Sequence, residues 1–340
     1  RVKGFQGETK EDLALPNTIA ACAKHFAAYG FVESGKEYNL VDIGNSTLYN
    51  LVLPPFEAAK NAGVRTFMNS FNTLNGVPAT GSKFLQRDIL KGKWNFDGFV
   101  ITDWASIREM INWGFAEDGA EASLKAVEAG ADMDMESHLY VYELTKLVKE
   151  GKVDEKLIDD AVRRILRVKF ELGLFDDPYR YCDEKREQKV IGSQENKEAV
   201  LDMAKKSIVL LKNENQLLPL PKTGKKIALI GALANDKNSP LGSWRIAASD
   251  DTAISVLEGM QQYKDNQLTF EKGVDLLKQK ATFLTETVFN TTDKSGFEAA
   301  KKAAKNADVV VMVLGEYGFQ SGEGRSRTDL NLPGLPKNLV

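Results

Sequence analysis

Four short apolar runs, each closed by polar residues and parted from the next by a helical pattern, constrain the first half of this chain most. The runs are "NTIAACAKHF", "VRTFMNSF", "GFVITDW" and "ADMDME". They close in Lys24-His25, in Asn69-Ser70-Asn72, in Asp103, and in Asp134 with Glu136. The segments between them read as helices: "TLYNLVLPPFEAAKNAG" closed by Gly63, "GSKFLQRDILKG" with Ser82 as N-cap, and "GAEASLKAVEAG" stopped by Gly130. Strands alternating with helices imply parallel βαβ units. In a (β/α)8 barrel the active site is built at the C-terminal ends of the strands. Four such units are half a barrel, so the expectation is an α/β fold whose first 178 residues are the C-terminal half of one. The chain starts with "RVKGFQGE" and no initiator Met, which reads as an internal piece of a longer protein.

An amphipathic helix, "DEKLIDDAVRRILRVKFELGLFDDP", follows and ends at Pro178. Residues 179–222 read as a linker with its own helix, "SQENKEAVLDMAKKSIVLLKN". A second α/β pattern occupies 223–340. Its strands are "KKIALI", "LTFEKGV" and "DVVVMVLGE", its helices "AISVLEGMQQY" and "GFEAAKKAAKNA". "KIALIGALA" resembles the start of a nucleotide-binding unit, but it has one Gly where the dinucleotide fingerprint needs three. The chain then runs into "YGFQSGEGRSRTDLNLPG", a long loop without periodicity.

Composition narrows the function classes. Lys and Arg are spread along a chain of net charge −3, so neither nucleic acid nor an anionic membrane is expected as a partner. No run in this stretch reads as a transmembrane helix or as a signal peptide. The two cysteines make no disulfide framework, and Cys22, in an apolar run, is expected to pack as a small hydrophobe. With only His25 and His138 in the chain and no metal-binding spacing, no metal or other cofactor is expected.

Several side chains carry two readings. Asp103 is either a turn or helix-capping Asp, or a catalytic carboxylate at a barrel strand's mouth. Trp104 beside it offers an indole platform for a sugar face. Lys24 and His25 could donate to a polyhydroxylated ligand, or Lys24 could be salt-bridged within the barrel mouth. Asp132, Asp134 and Glu136 alternate and so share a strand face; a hydrogen-bonding role there is preferred over a metal site. Glu316 could cap its strand. Glu323 is either a loop acid paired with Arg325 or Arg327, or a mobile general acid.

Taken in order, "AKHFAAYG", "NSFNTLNGVPAT", "GFVITDW", "AGADMDME", "LGLFDDPYRY", "SIVLLKNENQLLPL" and "DLNLPG" resemble glycoside hydrolase family 3, in its bacterial, periplasmic-type β-glucosidase branch. The resemblance covers nearly the whole chain. It implies a (β/α)8-type barrel followed by an α/β sandwich, incomplete here at its C-terminus, and an active site between them. It implies a retaining mechanism with Asp103 as nucleophile and Glu323 as acid/base. Lys24 and His25 match a pair that holds sugar hydroxyls, and Trp104 lines the −1 sugar. Phe71 falls where many members have a Tyr near the nucleophile. "KHFAAYG" lacks the "KHFPGHG" loop of the N-acetylglucosaminidases, which argues against amino-sugar specificity.

The expected function is therefore an exo-acting β-glucosidase taking a β-glucoside or oligosaccharide, periplasmic or secreted, with a homodimer left open. The alternatives are a β-xylosidase or dual-specificity glycosidase, and, in another class, a sugar-binding protein without catalysis.

Overall fold

In the computed structural model, residues 1–336 are described. The chain divides into two compact units, Arg1–Met203 and Ala204–Val340. Both are mixed α/β with parallel sheets.

In the first unit, strands β1 (Cys22–Phe26), β2 (Thr66–Asn69) and β5 (Phe99–Ile101) form a parallel sheet in the order β1-β2-β5. A short antiparallel hairpin, β3 (Thr73–Leu74) and β4 (Val77–Pro78), follows β2. Its turn is Asn75-Gly76, both with positive φ (51° and 85°), the pair of residues that a two-residue hairpin turn favours.

The expected fourth strand forms only one bridge, Ile101 to Met133, and no closed barrel exists among the described residues. The segment still lies along β5. Asp132 and Met133 both donate their amides to Val100 O, and Thr102 N donates to Met133 O at 2.9 Å. A regular ladder stops because Asp132 takes part through its side chain: Oδ2 accepts from Val100 N at 2.8 Å and Oδ1 meets Lys91 Nζ at 2.6 Å. Asp132 is thus a buried ion-pair partner, not a hydrogen-bonding residue at the mouth of a barrel.

The helix after β1 runs through Asn45–Thr47, a π-helical turn Leu48–Val52, and Leu53–Asn61. Pro54 and Pro55 lack the N–H that would close the preceding α-helical turn, so that turn is wide. The Phe84–Lys93 helix is π-helical, and Ser82 Oγ accepts from Leu85 N before it. Helix Gly119–Ala129 is capped by Asp118, which accepts from Glu121 N. The amphipathic helix spans Glu155–Glu171, capped by Asp154. Two helices, Glu184–Val190 and Gln194–Ser207, occupy the stretch read as linker.

The core sits against the sheet. Phe26, Phe67 and Val100 are fully buried, and Phe67 packs edge-on against Phe26 and Phe96 with ring centroids 5.5 and 4.9 Å apart. Burying such aromatic rings contributes roughly 1.5–3 kcal/mol each. At the N-terminal edge of the strands, Arg65 bridges Asp97 (2.7 Å) and Glu171 (2.6 Å). Cys22 departs from expectation: among the described residues it is exposed, on β1, whose residues alternate in exposure and which has no neighbour on one side.

In the second unit, β6 (Lys226–Ile230), β7 (Gln267–Glu271) and β8 (Val309–Met312) make a parallel sheet in the order β7-β6-β8. Helix Val256–Gln261 starts with a capping box between Ser255 and Glu258. Helix Phe297–Lys305 packs Ala300 onto Ala228 and Ile230. The single glycine after β6 has a structural reason. Gly231 has φ +126°, and a Cβ there would lie 2.3 Å from Val313 O, so it allows β6 and the end of β8 to approach.

Candidate active site

Asp103 stands two residues past β5, at the C-terminal edge of the first sheet, and is buried. Its backbone is held from two sides. Asp103 N donates to Asn69 Oδ1 (3.2 Å), at the end of the neighbouring strand β2. On the other side, Ala105 N donates to Met135 O and Met135 N to Thr102 Oγ1, both within 2.9 Å. Ala105 is left-handed (φ 54°), which turns the chain sharply into helix Ser106–Asn112.

The carboxylate itself is asymmetric. Oδ1 accepts the Trp104 amide at 2.8 Å. Oδ2 is buried and has no hydrogen-bond partner among the described residues. The nearest cation-capable group is His25 Nε2 at 3.3 Å, close but not aligned as a hydrogen bond. Burial lowers the pKa of His25; the charge of Asp103 raises it and that of Lys24 lowers it. The imidazole is therefore neutral at pH 7, and the contact is imidazole to carboxylate, not an ion pair.

The other candidates take up distinct positions. Lys24 is exposed on β1 beside His25. Trp104 is 62% exposed, which leaves its indole open to a ligand. Phe71 is buried, 4.7 Å from the Tyr38 ring and 6.1 Å from Tyr29, and Tyr29 stands edge-on to His25 at 5.4 Å. An aromatic row thus runs from His25 to Tyr38.

Glu323 lies on the loop after β8 in the second unit, half-buried between Gly322 and Gly324. Arg327 ion-pairs with Glu316, and its other nitrogen donates to Asn331 O. Arg325 donates to Thr285 O at 2.6 Å and also reaches Glu286. Glu316 is thereby committed to an ion pair inside the loop.

Two residues near Asp103 escaped the sequence reading. Asn69 was visible only as one of several polar residues ending β2. Glu109, on the helix after Asp103, is half-buried, and burial together with the Asp103 charge raises its carboxyl above the usual range. Glu109 stands six residues past Asp103, in the helix that follows it, and no local pattern in the sequence marked it as a neighbour of that carboxylate.

The family model "Glycosyl hydrolase family 3 N terminal domain" matches residues 1–168, and "Glycosyl hydrolase family 3 C-terminal domain" matches residues 208–340. The chain belongs to glycosyl hydrolase family 3. A periplasmic β-glucosidase of Salmonella typhimurium is 36% identical over 100% of this chain and 45% of its own length. A β-xylosidase of Formosa agariphila is 34% identical over 100% of this chain and 47% of its own. The solved β-glucosidase of Listeria innocua in complex with glucose superposes with TM-score 0.87 at 37% identity, covering 99% of this chain and 44% of that one. This family 3 chain spans about half the length of the relatives it matches.

Proposed function

We propose that this chain is the catalytic part of a retaining, exo-acting β-glycosidase, a β-glucosidase that releases terminal β-D-glucosyl residues. The observation that carries the reading is the asymmetric Asp103 carboxylate: Oδ1 is fixed by Trp104 N, while Oδ2 is buried and uncommitted. An oriented, poorly solvated oxygen of this kind is what a nucleophile requires. The names of the relatives support the sugar.

In the proposed reaction, Asp103 Oδ2 bonds to the anomeric carbon as the glycosidic C–O bond breaks. Glu323 gives its proton to the leaving oxygen. Water then returns a proton to Glu323 and its oxygen to the anomeric carbon, which frees Asp103. Retaining enzymes hold the two carboxyl groups about 5–5.5 Å apart in the productive complex. Lys24 and neutral His25 would hold sugar hydroxyls, and Trp104 would stack on the sugar, with Phe71 lining the pocket. In this reading the first unit is half of a (β/α)8 barrel, completed by residues of the whole protein. A periplasmic site is proposed on the name of the Salmonella relative; no helix among the described residues is long and apolar enough to cross a membrane.

The test is Asp103→Ala in the product of the complete reading frame, assayed on an aryl β-glucoside. A loss of at least a thousandfold, on the order expected for removing a covalent nucleophile, is the predicted result; normal turnover would sink the assignment. A second reading, β-xylosidase, rests on the Formosa relative. A higher kcat/KM on aryl β-xyloside than on aryl β-glucoside would favour it. Glucose binding without turnover would favour a non-catalytic sugar-binding protein.

A further inference from the structure

The side chain of Asn69 is fully buried, and donors converge on its oxygen. Asp103 N lies 3.2 Å from Oδ1, Ser106 Oγ 3.3 Å and Thr80 Oγ1 3.2 Å. Thr80 Oγ1 is also 2.9 Å from Ser106 Oγ. An amide oxygen has two lone pairs, and each hydroxyl has one proton. Thr80 gives its one proton to the shorter of its two contacts, Ser106 Oγ at 2.9 Å, which leaves the Ser106 proton for Asn69 Oδ1 and the second lone pair for Asp103 N. The Nδ2 of the same amide has no partner among the described residues. Among the described residues it is therefore the oxygen of this buried amide that is engaged.

The two donors are the first and fourth residues of the turn Asp103–Ser106. That turn contains left-handed Ala105 and is closed by Ser106 N donating to Asp103 O at 3.2 Å. A single oxygen on β2 therefore clamps both ends of the turn that aims Asp103.

We propose that Asn69 is a positioning residue for Asp103: its Oδ1 anchors the turn at both ends, so that the carboxylate oxygen Oδ2 is presented to the reacting carbon. The inference rests on Asp103 being the nucleophile. Asn69 touches no reacting atom, so its loss slows attack without loosening the sugar.

The test is Asn69→Ala in the product of the complete reading frame, using a 2-deoxy-2-fluoro-β-glucosyl fluoride, which traps the glycosyl-enzyme. Misaiming a reacting group by about an ångström costs up to about a hundredfold. The expected result is a trapping rate constant about ten- to a hundredfold lower, while the Ki of a competitive sugar-shaped inhibitor stays within about twofold. Trapping at the parental rate in a folded Asn69→Ala protein overturns the proposal. A purely structural role would lower Tm and leave the trapping constant of the folded fraction unchanged, and that also overturns it. If the alanine variant does not fold, Ser106→Ala removes one of the two donors; it should trap several-fold more slowly, and parental trapping overturns the shared anchor. Peptide mapping of the trapped parent separates the two readings: a label on another carboxylate refutes Asp103 itself, whatever Asn69 does.

Discussion

His25 Nε2 stands 3.3 Å from Asp103 Oδ2, the oxygen of that carboxylate without a hydrogen bond among the described residues. The pair joins the edge strand β1 to the turn after β5, across β2. Burial holds the imidazole below its ordinary value of 6.5. The unfolded chain then takes up this proton more readily than the folded one. Stability from this group is complete above pH 6.5 and declines as pH falls towards the folded value. In His25→Asn that decline disappears from urea unfolding curves taken between pH 4 and 8. On the proposed reading the same variant should lose about a hundredfold in kcat/KM on an aryl β-glucoside, since the proposed donor to a sugar hydroxyl and the neighbour of Oδ2 are lost together.

Glu109 has the opposite sense. Burial and the negative charge of Asp103 raise its carboxyl above 4.5. The folded protein holds this proton more tightly than the unfolded chain, so stability falls as pH rises through the folded value. Glu109→Gln should therefore melt higher than the parent at pH 7, and the two should converge below pH 4.5. Differential scanning calorimetry at three pH values decides it; an equal or lower Tm at pH 7 contradicts the account.

Lys91 and Asp132 meet at 2.6 Å with side chains 5% and 1% exposed. Burial pushes Lys91 down to about 8 and raises Asp132, each towards its neutral form, against the attraction of the partner. Removing one partner leaves the other charge buried alone. Lys91→Met should cost about 3–5 kcal/mol of unfolding free energy. Adding Asp132→Asn neutralises the stranded carboxylate and keeps an acceptor for Val100 N, so the double variant should regain more than half of that loss. Urea titration of the set measures both steps; a double variant no more stable than Lys91→Met refutes the argument.

This pair also shows where sequence reading stops. The strands β1, β2 and β5 and their polar ends were legible from apolar runs and flanking polar residues, because burial and strand termini are local properties. The fourth strand was overcalled. "ADMDME" has the right alternation, but Asp132 spends its carboxylate on Lys91 and Val100 N, partners 41 and 32 residues away. The Asn75-Gly76 hairpin, by contrast, carried a local signal that the helix-strand rhythm obscured. Asp103 could be nominated from its place after a strand. Its anchor Asn69, 34 residues earlier, could not, because only the fold brings the two together.

The last prediction separates Glu323 from Glu316. Arg327 engages Glu316 within the loop, so that carboxylate is held in an ion pair. Glu323→Ala should lower turnover of a glucoside with a poor leaving group on the order of a hundred- to ten-thousandfold. An aryl glucoside with an acidic phenol needs no proton to leave and should be hit less at the first step. Azide, which needs no general base, should then attack the trapped sugar, raise the rate and yield β-glucosyl azide. Glu316→Gln should change either rate by less than about tenfold, through loosening of the loop, with no response to azide. Azide rescue of Glu316→Gln, together with its absence in Glu323→Ala, would transfer the acid/base role to Glu316.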